Sequence, residues 1–331
     1  DHAAEKLKAM VSNTATLVGC GAAAGISAVF DAPIAGILFA LEVLLRDFSV
    51  KTFMPIVISA VVSTTVFHGI RAAEASGPPA VAAAVVTGAE ASAPQAAASA
   101  ATETAPAGTV MRGIFEIPSH GSIIAFNLYE APNFVVLGLI CGGIAIGLTW
   151  LMEAVTHGFS RFKAVPRFFH PALGALISGL CGALLMILLR DSPFVRTPPG
   201  SASWYVPIFA SGYPTVKQAL DPSSYAAIGG ALGGIAGAGM VLTIGVLALL
   251  CVMKVIATAF TIGGGGSGGV FAPALFMGAT AGGAVGLALR HLGLGVQPST
   301  YALVGMGAVL ASLIQAPLMG IILLFELTRN Y

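Results

Sequence analysis

The chain has 331 residues, 56% of them hydrophobic and only 9% charged, with a formal net charge of +1. Water-soluble domains carry about a quarter charged residues, so composition excludes a large soluble core. No basic face is available to nucleic acid, and the near-zero charge points to no partner by itself.

Hydrophobic segments are read at 14–45, 53–70, 134–157, 172–190, 224–262, 269–289 and 301–327. Charge-free runs extend over Thr52–Ile70, Pro222–Met253, Val255–Leu289 and His291–Phe325. Each exceeds the roughly 18 residues that a membrane span requires. Several segments are too long for one span and contain Gly or Pro, so they are read as broken helices or helix pairs.

The first segment carries Asp31 just before Ala32 and Pro33, where it is expected to cap a helix N-terminus. Residues 71–112, rich in Ala, Ser, Pro, Thr and Glu, read as a low-complexity extramembrane loop. Basic residues cluster after the first segment (Arg46, Lys51) and in the 158–171 loop (Arg161, Lys163, Arg167), and mark both as cytoplasmic. Glycines four apart recur at Gly138/Gly142, Gly143/Gly147, Gly229/Gly233/Gly237 and Gly278/Gly282/Gly286. Such spacing predicts close helix packing in lipid. Lys254 separates two apolar runs and is expected to snorkel to the interface, or otherwise to draw anions inward.

Residues 263–273 read Gly-Gly-Gly-Gly-Ser-Gly-Gly-Val-Phe-Ala-Pro between two charge-free runs. A glycine-rich interruption inside hydrocarbon exposes backbone N–H groups that lipid cannot satisfy. A helix starting at Phe271 would present N–H donors and a partial positive charge, the arrangement that receives an anion.

Residues 21–42 (GAAAGISAVFDAPIAGILFALE) match residues 305–326 (GMGAVLASLIQAPLMGIILLFE) at an offset of 284. The identities include Ala32/Ala316, Pro33/Pro317, Gly36/Gly320, Ile37/Ile321 and Glu42/Glu326. Duplicated halves are common in transporter folds, with the substrate site between them. The same offset places the first-half partner of Phe271 upstream of Asp1, and Asp1 is no initiator. The chain is therefore read as a piece of a longer protein, truncated at both ends.

The cysteines (Cys20, Cys141, Cys181, Cys251) stand singly in apolar segments and the six histidines are scattered, so no metal-ligand spacing arises. Trp150, Tyr129, Trp204, Tyr205 and Tyr213 lie near segment ends, as interfacial aromatics do. The enzyme motif His-Glu-x-x-His is lacking, and no catalytic residue or cofactor is expected.

GCGAAAGISAVFDAPIAGILFALEV (19–43), GGSGGVFAPALFMGA (265–279) and QAPLMGIILLFELT (315–328) resemble helix pairs and an anion-site motif of the CLC chloride channel and transporter family. HPALGALISGL (170–180) and Ser-Gly-Tyr at 211–213 fit the same family. The resemblance implies an all-α polytopic membrane protein, an inverted-repeat bundle of broken and tilted helices forming one transmembrane domain over 1–331. It implies a homodimer in the lipid bilayer, in the inner membrane if the source is bacterial, with one chloride pathway per subunit.

Carried over residue by residue, the amides of Val270 and Phe271 would hold the anion, and Gly268 and Gly269 would permit its close approach. Val43 stands where proton-coupled members are similar in carrying an inner glutamate, and valine cannot relay protons. That favours passive anion flow. Glu42 either supports a helix end, as its repeat partner Glu326 suggests, or carries protons as an intramembrane carboxylate. A secondary transporter of another anion is the other reading in the same class. An intramembrane protease and a degenerate homologue without transport are readings from different classes.

Overall fold

A computed structural model describes residues 2–76, 130–161, 169–188, 212–222, 225 and 244–328, with side chains from residue 14 onward except 71–76, 188 and 328. The low-complexity loop beyond Ser76, the Gly229/Gly233/Gly237 series, residues 162–168 of the 158–171 loop, Tyr129, Trp204 and Tyr205 lie outside the described residues. Every regular element described is helical.

In chain order the helices are α1 (His2–Phe30), α2 (Pro33–Phe39), α3 (Val50–Ser76), α4 (Ala131–Arg161) and α5 (His170–Leu188). They continue with α6 (Tyr213–Leu220), α7 (Ile244–Gly263), α8 (Phe271–His291), α9 (Pro298–Ile314) and α10 (Pro317–Thr328). A π-helical turn, Ala40–Leu45, prolongs α2. Among the described residues, five helices are long and apolar enough to cross a membrane: Val50–Ile70 within α3, α4, α5 up to Ile187, α7 and α8.

The chain divides into two compact units. One comprises residues 1–116 and 325–331, the other residues 117–324. In the first, Ala23, Ile37, Ala40, Leu41, Ile56 and Ala60 form a core of small and branched side chains. Hydroxyls tie α3 to α1: Ser59 Oγ donates to the Cys20 carbonyl at 2.9 Å and Ser63 Oγ to the Ala24 carbonyl at 2.8 Å. Interhelical bonds of this kind take the place of a hydrophobic drive that lipid does not supply.

α1 ends at Phe30 because Asp31 adopts φ +53, and the Ala32 amide then reaches back to the Ser27 carbonyl at 3.2 Å. That is a left-handed helix stop. Pro33 opens α2, and the Gly36 amide bonds the Ala32 carbonyl at 3.0 Å. The second repeat turns the same corner by the same means within the other unit. Gln315 has φ +58, the Ala316 amide reaches the Ala311 carbonyl at 3.1 Å, and Gly320 bonds the Ala316 carbonyl at 3.0 Å. Gly36 lies against Ala23 and Ser27, and Gly320 against Gly307 and Ala311, the same positions one repeat on.

Asp31 is therefore not the expected N-cap. It occupies the stop position of α1, Ala32 is the N-cap of α2, and no side chain in that position caps the helix. The Asp31 carboxylate instead meets His68 Nε2 at 2.6 Å.

In the second unit α8 is the enclosed element: from Ala274 to Leu287 every residue except Val285 is buried. Its glycines make this possible. A Cβ on Gly278 would strike the backbone of Gly305 and Met306, one on Gly282 that of Tyr301, and one on Gly286 that of Pro298. α8 and α9 thus meet backbone to backbone. The glycines of α4 behave differently. A Cβ on Gly138, Gly142, Gly143 or Gly147 would meet nothing within 4 Å among the described residues. α4 packs through Leu137, Cys141, Ala145, Leu148 and Val155 and leaves Val135, Leu139, Ile146 and Trp150 exposed, an apolar outer face suited to lipid. Trp150 stands well inside the helix rather than at its end.

Candidate anion site at an interrupted helix

The glycine run divides into two parts with different tasks. The first part finishes α7. Gly264 donates to the Phe260 carbonyl at 3.0 Å, Gly265 to Ile262 at 2.9 Å and Gly266 to Thr261 at 2.9 Å. Gly265 has φ +86, so the turn is a Schellman cap with glycine at the left-handed position.

Neighbouring helices brace this cap. Gly263 touches Val155 and Met152 of α4, and its carbonyl accepts from Thr156 Oγ1 at 3.2 Å. A Cβ on Gly264 would fall 3.2 Å from the His170 carbonyl oxygen and 3.3 Å from the Gly174 Cα. The His-Pro-Ala-Leu-Gly start of α5 is thus shaped to receive the turn. Ser178 of α5 adds bonds to the Ala257 carbonyl at 3.0 Å and to Thr261 Oγ1 at 2.7 Å.

The second part begins at Ser267. Among the described residues, the backbone N–H groups of 267–270 donate to no backbone carbonyl. Val270, at φ −94 and ψ −11, is the N-cap of α8, without a side-chain cap and without an acidic residue in the first turn. The ladder of α8 opens with Ala274 donating to the Val270 carbonyl at 2.9 Å. Pro273 has no N–H, so the Val270, Phe271 and Ala272 amides lie ahead of the ladder at the positive end of a 21-residue helix.

Packing within the chain does not explain the last two glycines. Gly268 and Gly269 are exposed, and a Cβ on Gly269 would meet nothing within 4 Å among the described residues. The arrangement can receive a small anion: N–H groups at 267–270 that donate to no backbone carbonyl among the described residues, a helix dipole, exposed glycines, and no carboxylate on either flanking helix. Of the residues singled out from sequence, Gly268, Gly269, Val270 and Phe271 are contiguous in this turn.

Glu42 and Val43 belong to the other unit. Both are half-buried in the π-helical turn Ala40–Leu45, which nothing in the sequence signalled. Glu326, in the last turn of α10, is buried, and its carboxylate accepts the amides of Ile34 at 2.9 Å and Ala35 at 2.7 Å. It supplies the cap that Asp31 does not. Lys254 does not snorkel; it is buried on the inner stripe of α7.

A family model described as voltage gated chloride channel matches residues 2–331. Chloride channel protein CLC-f of Arabidopsis thaliana is 29% identical over 95% of this chain and 33% of its own length. The H(+)/Cl(-) exchange transporter ClcA of Yersinia pestis bv. Antiqua (strain Angola) is 29% identical over 96% of this chain and 51% of its own. Among solved structures, a slow cyanobacterial Cl-/H+ antiporter has a TM-score of 0.61 at 20% identity, over 96% of this chain and 57% of its own. A CLC-type fluoride/proton antiporter has a TM-score of 0.56 at 18% identity, over 95% of this chain and 58% of its own. At these identities the structural likeness establishes the fold alone. The chain spans between a third and about half the length of these relatives by sequence. With a family model matched from residue 2 to residue 331 and five apolar helices of spanning length, the chain is an integral multi-pass membrane protein and belongs to the voltage-gated chloride channel family.

Proposed function

We propose that this chain forms part of a pathway that carries chloride, or an anion of similar size, across the membrane. The ion is held by the main-chain amides of Val270 and Phe271, and Gly268 and Gly269 permit its close approach. The observation that carries this reading is the turn itself. Gly264–Gly266 are consumed in capping α7, whereas the amides of 267–270 donate to no backbone carbonyl among the described residues, and Gly268 and Gly269 are exposed just ahead of α8. Helix-end dipoles bind an anion weakly enough to release it, which throughput requires. Chloride is the default because both relatives named above carry it in their names. A homodimer with one pathway per subunit, in a bacterial inner membrane, completes the reading by family resemblance.

The pathway is read as uncoupled from protons, because Val43 has no ionisable group. One observation favours the coupled alternative: Glu42 sits in a π-helical turn, and such turns are frequent at functional sites.

Chloride efflux from proteoliposomes containing the full-length protein tests the site. Phe271→Leu keeps the amide and is expected to retain flux. Phe271→Pro removes the donor but also biases Val270 away from its observed φ −94, ψ −11. A backbone ester between Val270 and Phe271 removes the N–H alone. Flux at least tenfold lower in the ester is expected, and flux equal to that of the unmodified protein rejects the assignment.

A further inference from the structure

The end of α8 opposite the glycine turn borders a cavity of about 310 Å³. Its walls come from three stretches of chain: Pro222 and Tyr225 beyond α6, Arg290 in the last turn of α8, and Gly295, Gln297 and Pro298 leading into α9. That volume lies at the lower end of the about 300–1,000 Å³ found for small-ligand sites. Among the described residues that line it, Arg290 is the charged one.

The arginine is set in place by a chain of contacts. Tyr225 is 1% exposed, its hydroxyl donates to the Ala219 carbonyl at 2.8 Å, and a Cβ on Gly283 would fall 2.7 Å from that hydroxyl. The glycine thus lets the tyrosine lie on α8, and the Tyr225 carbonyl accepts from Arg290 Nη1 at 3.2 Å. The half-buried guanidinium is anchored at the cavity wall by one nitrogen, and its planar fork suits a phosphate. Gln297 is the N-cap of α9, but its side chain makes no cap bond, and the first turn of α9 holds no acidic residue.

Two features point to a lipid rather than a free ion. Arg290 ends a helix of membrane-spanning length, where basic side chains meet headgroups. Leu292 and Leu294, on the loop between Arg290 and Gly295, are 76% and 54% exposed. Exposed leucines beside a guanidinium match a molecule with an anionic head and hydrocarbon tails.

We propose that this cavity binds the phosphate group of an anionic phospholipid, with Arg290 paired to the phosphodiester, Gln297 hydrogen-bonded to it, and Leu292 and Leu294 against the acyl chains. The site is separate from the glycine turn and does not rest on the anion reading.

The test is photolabelling of the purified full-length protein, in a non-ionic detergent, by phosphatidylglycerol with a diazirine on an acyl chain. Label on residues 291–296 is measured by mass spectrometry. Wild type is expected to be labelled there, and excess dioctanoyl phosphatidylglycerol should remove the label while inorganic phosphate at the same concentration leaves it. In Arg290→Gln and in Gln297→Glu the lipid concentration for half-maximal labelling should rise about tenfold or more. Gln297→Glu leaves the Tyr225 contact alone and sets a carboxylate at the cavity, so it decides the matter if Arg290→Gln fails to fold. No label at 291–296 in wild type overturns the proposal, and so does a Gln297→Glu protein labelled like wild type. Displacement by inorganic phosphate as complete as by lipid makes this a free-anion site and overturns the lipid assignment.

Discussion

Glu326 and Ala35 are 291 residues apart in sequence, yet Glu326 Oε2 accepts the Ala35 amide at 2.7 Å. Its other oxygen accepts the neighbouring Ile34 amide at 2.9 Å. One carboxylate thus serves two of the donors left over where α2 begins after Pro33. The anchor is a charge-assisted pair at a helix N-terminus, the geometry in which such bonds are strongest. Glu42 is the repeat counterpart of Glu326, so a structural duty for Glu326 favours the same kind of duty for Glu42 over proton carriage.

Removal of this anchor should be felt in stability. Glu326→Ala leaves two amides of a buried helix start without their acceptor and should cost about 2 kcal/mol. Glu326→Gln keeps an acceptor and should cost less. Thermal unfolding in detergent measures both, and equal melting temperatures for wild type and Glu326→Ala would refute the anchoring role.

Gly278 and Gly142 carry the same spacing signal and should respond in opposite ways. A Cβ at 278 would fall 2.5 Å from the Met306 Cα, and backbone cannot yield as a side chain does. Gly278→Ala should therefore destabilise by about 1–3 kcal/mol, the range for overpacking. Gly142→Ala faces open space and should leave stability unchanged or slightly raised, since alanine is the better helix former. Melting curves of the two variants side by side decide the matter.

Asp47 precedes α3 and is fully exposed. The Ser49 hydroxyl and then the Ser49 amide, with a smaller contribution from Thr52, hold its carboxyl below the usual carboxylate range. A depressed folded-state pKa means that the group stabilises this turn above its unfolded pKa, about 3.9, and loses that effect as pH falls through the lower folded value. Amide exchange at Thr52 and Phe53, both bonded to the Ser49 carbonyl, should quicken as pH drops below about 4, relative to intrinsic rates. Asp47→Asn should flatten that response.

Proton coupling is open to direct measurement. In proteoliposomes of the full-length protein, an imposed chloride gradient should move no protons uphill, because Val43 offers no carboxylate. A fixed chloride-to-proton ratio would instead implicate Glu42, and Glu42→Gln should then abolish proton movement while sparing chloride flux.

The breaks were legible from sequence because glycine and proline punctuate a chain even when everything around them is apolar. Both the glycine turn before Phe271 and the corner before Pro33 fall where those residues stand. The duplicated corner was legible too, since Ala-Pro-x-x-Gly-Ile encodes a left-handed stop followed by a helix start. Asp31 misled because an aspartate ahead of Ala-Pro has the look of a cap. The preceding helix instead claimed that position for its own stop, and the cap came from Glu326. Lys254 misled because a lysine at the edge of an apolar run is usually drawn to water, and only tertiary packing reveals the Phe276 ring it lies against. Glycine spacing carries no direction, so the packed series on α8 and the open one on α4 read alike. The π-helical turn at Glu42 has no signature in residue type at all.

The contact of α8 with α9 has a mechanical consequence. Backbone rests on backbone there, so no rotamers intervene that could be re-sorted to let one helix slip past the other. The two behave as a single post, and the amides at its head keep their aim. On the proposed function, whatever opens or shuts the route for the ion hinges at some other place, with this post as the fixed reference against which it moves.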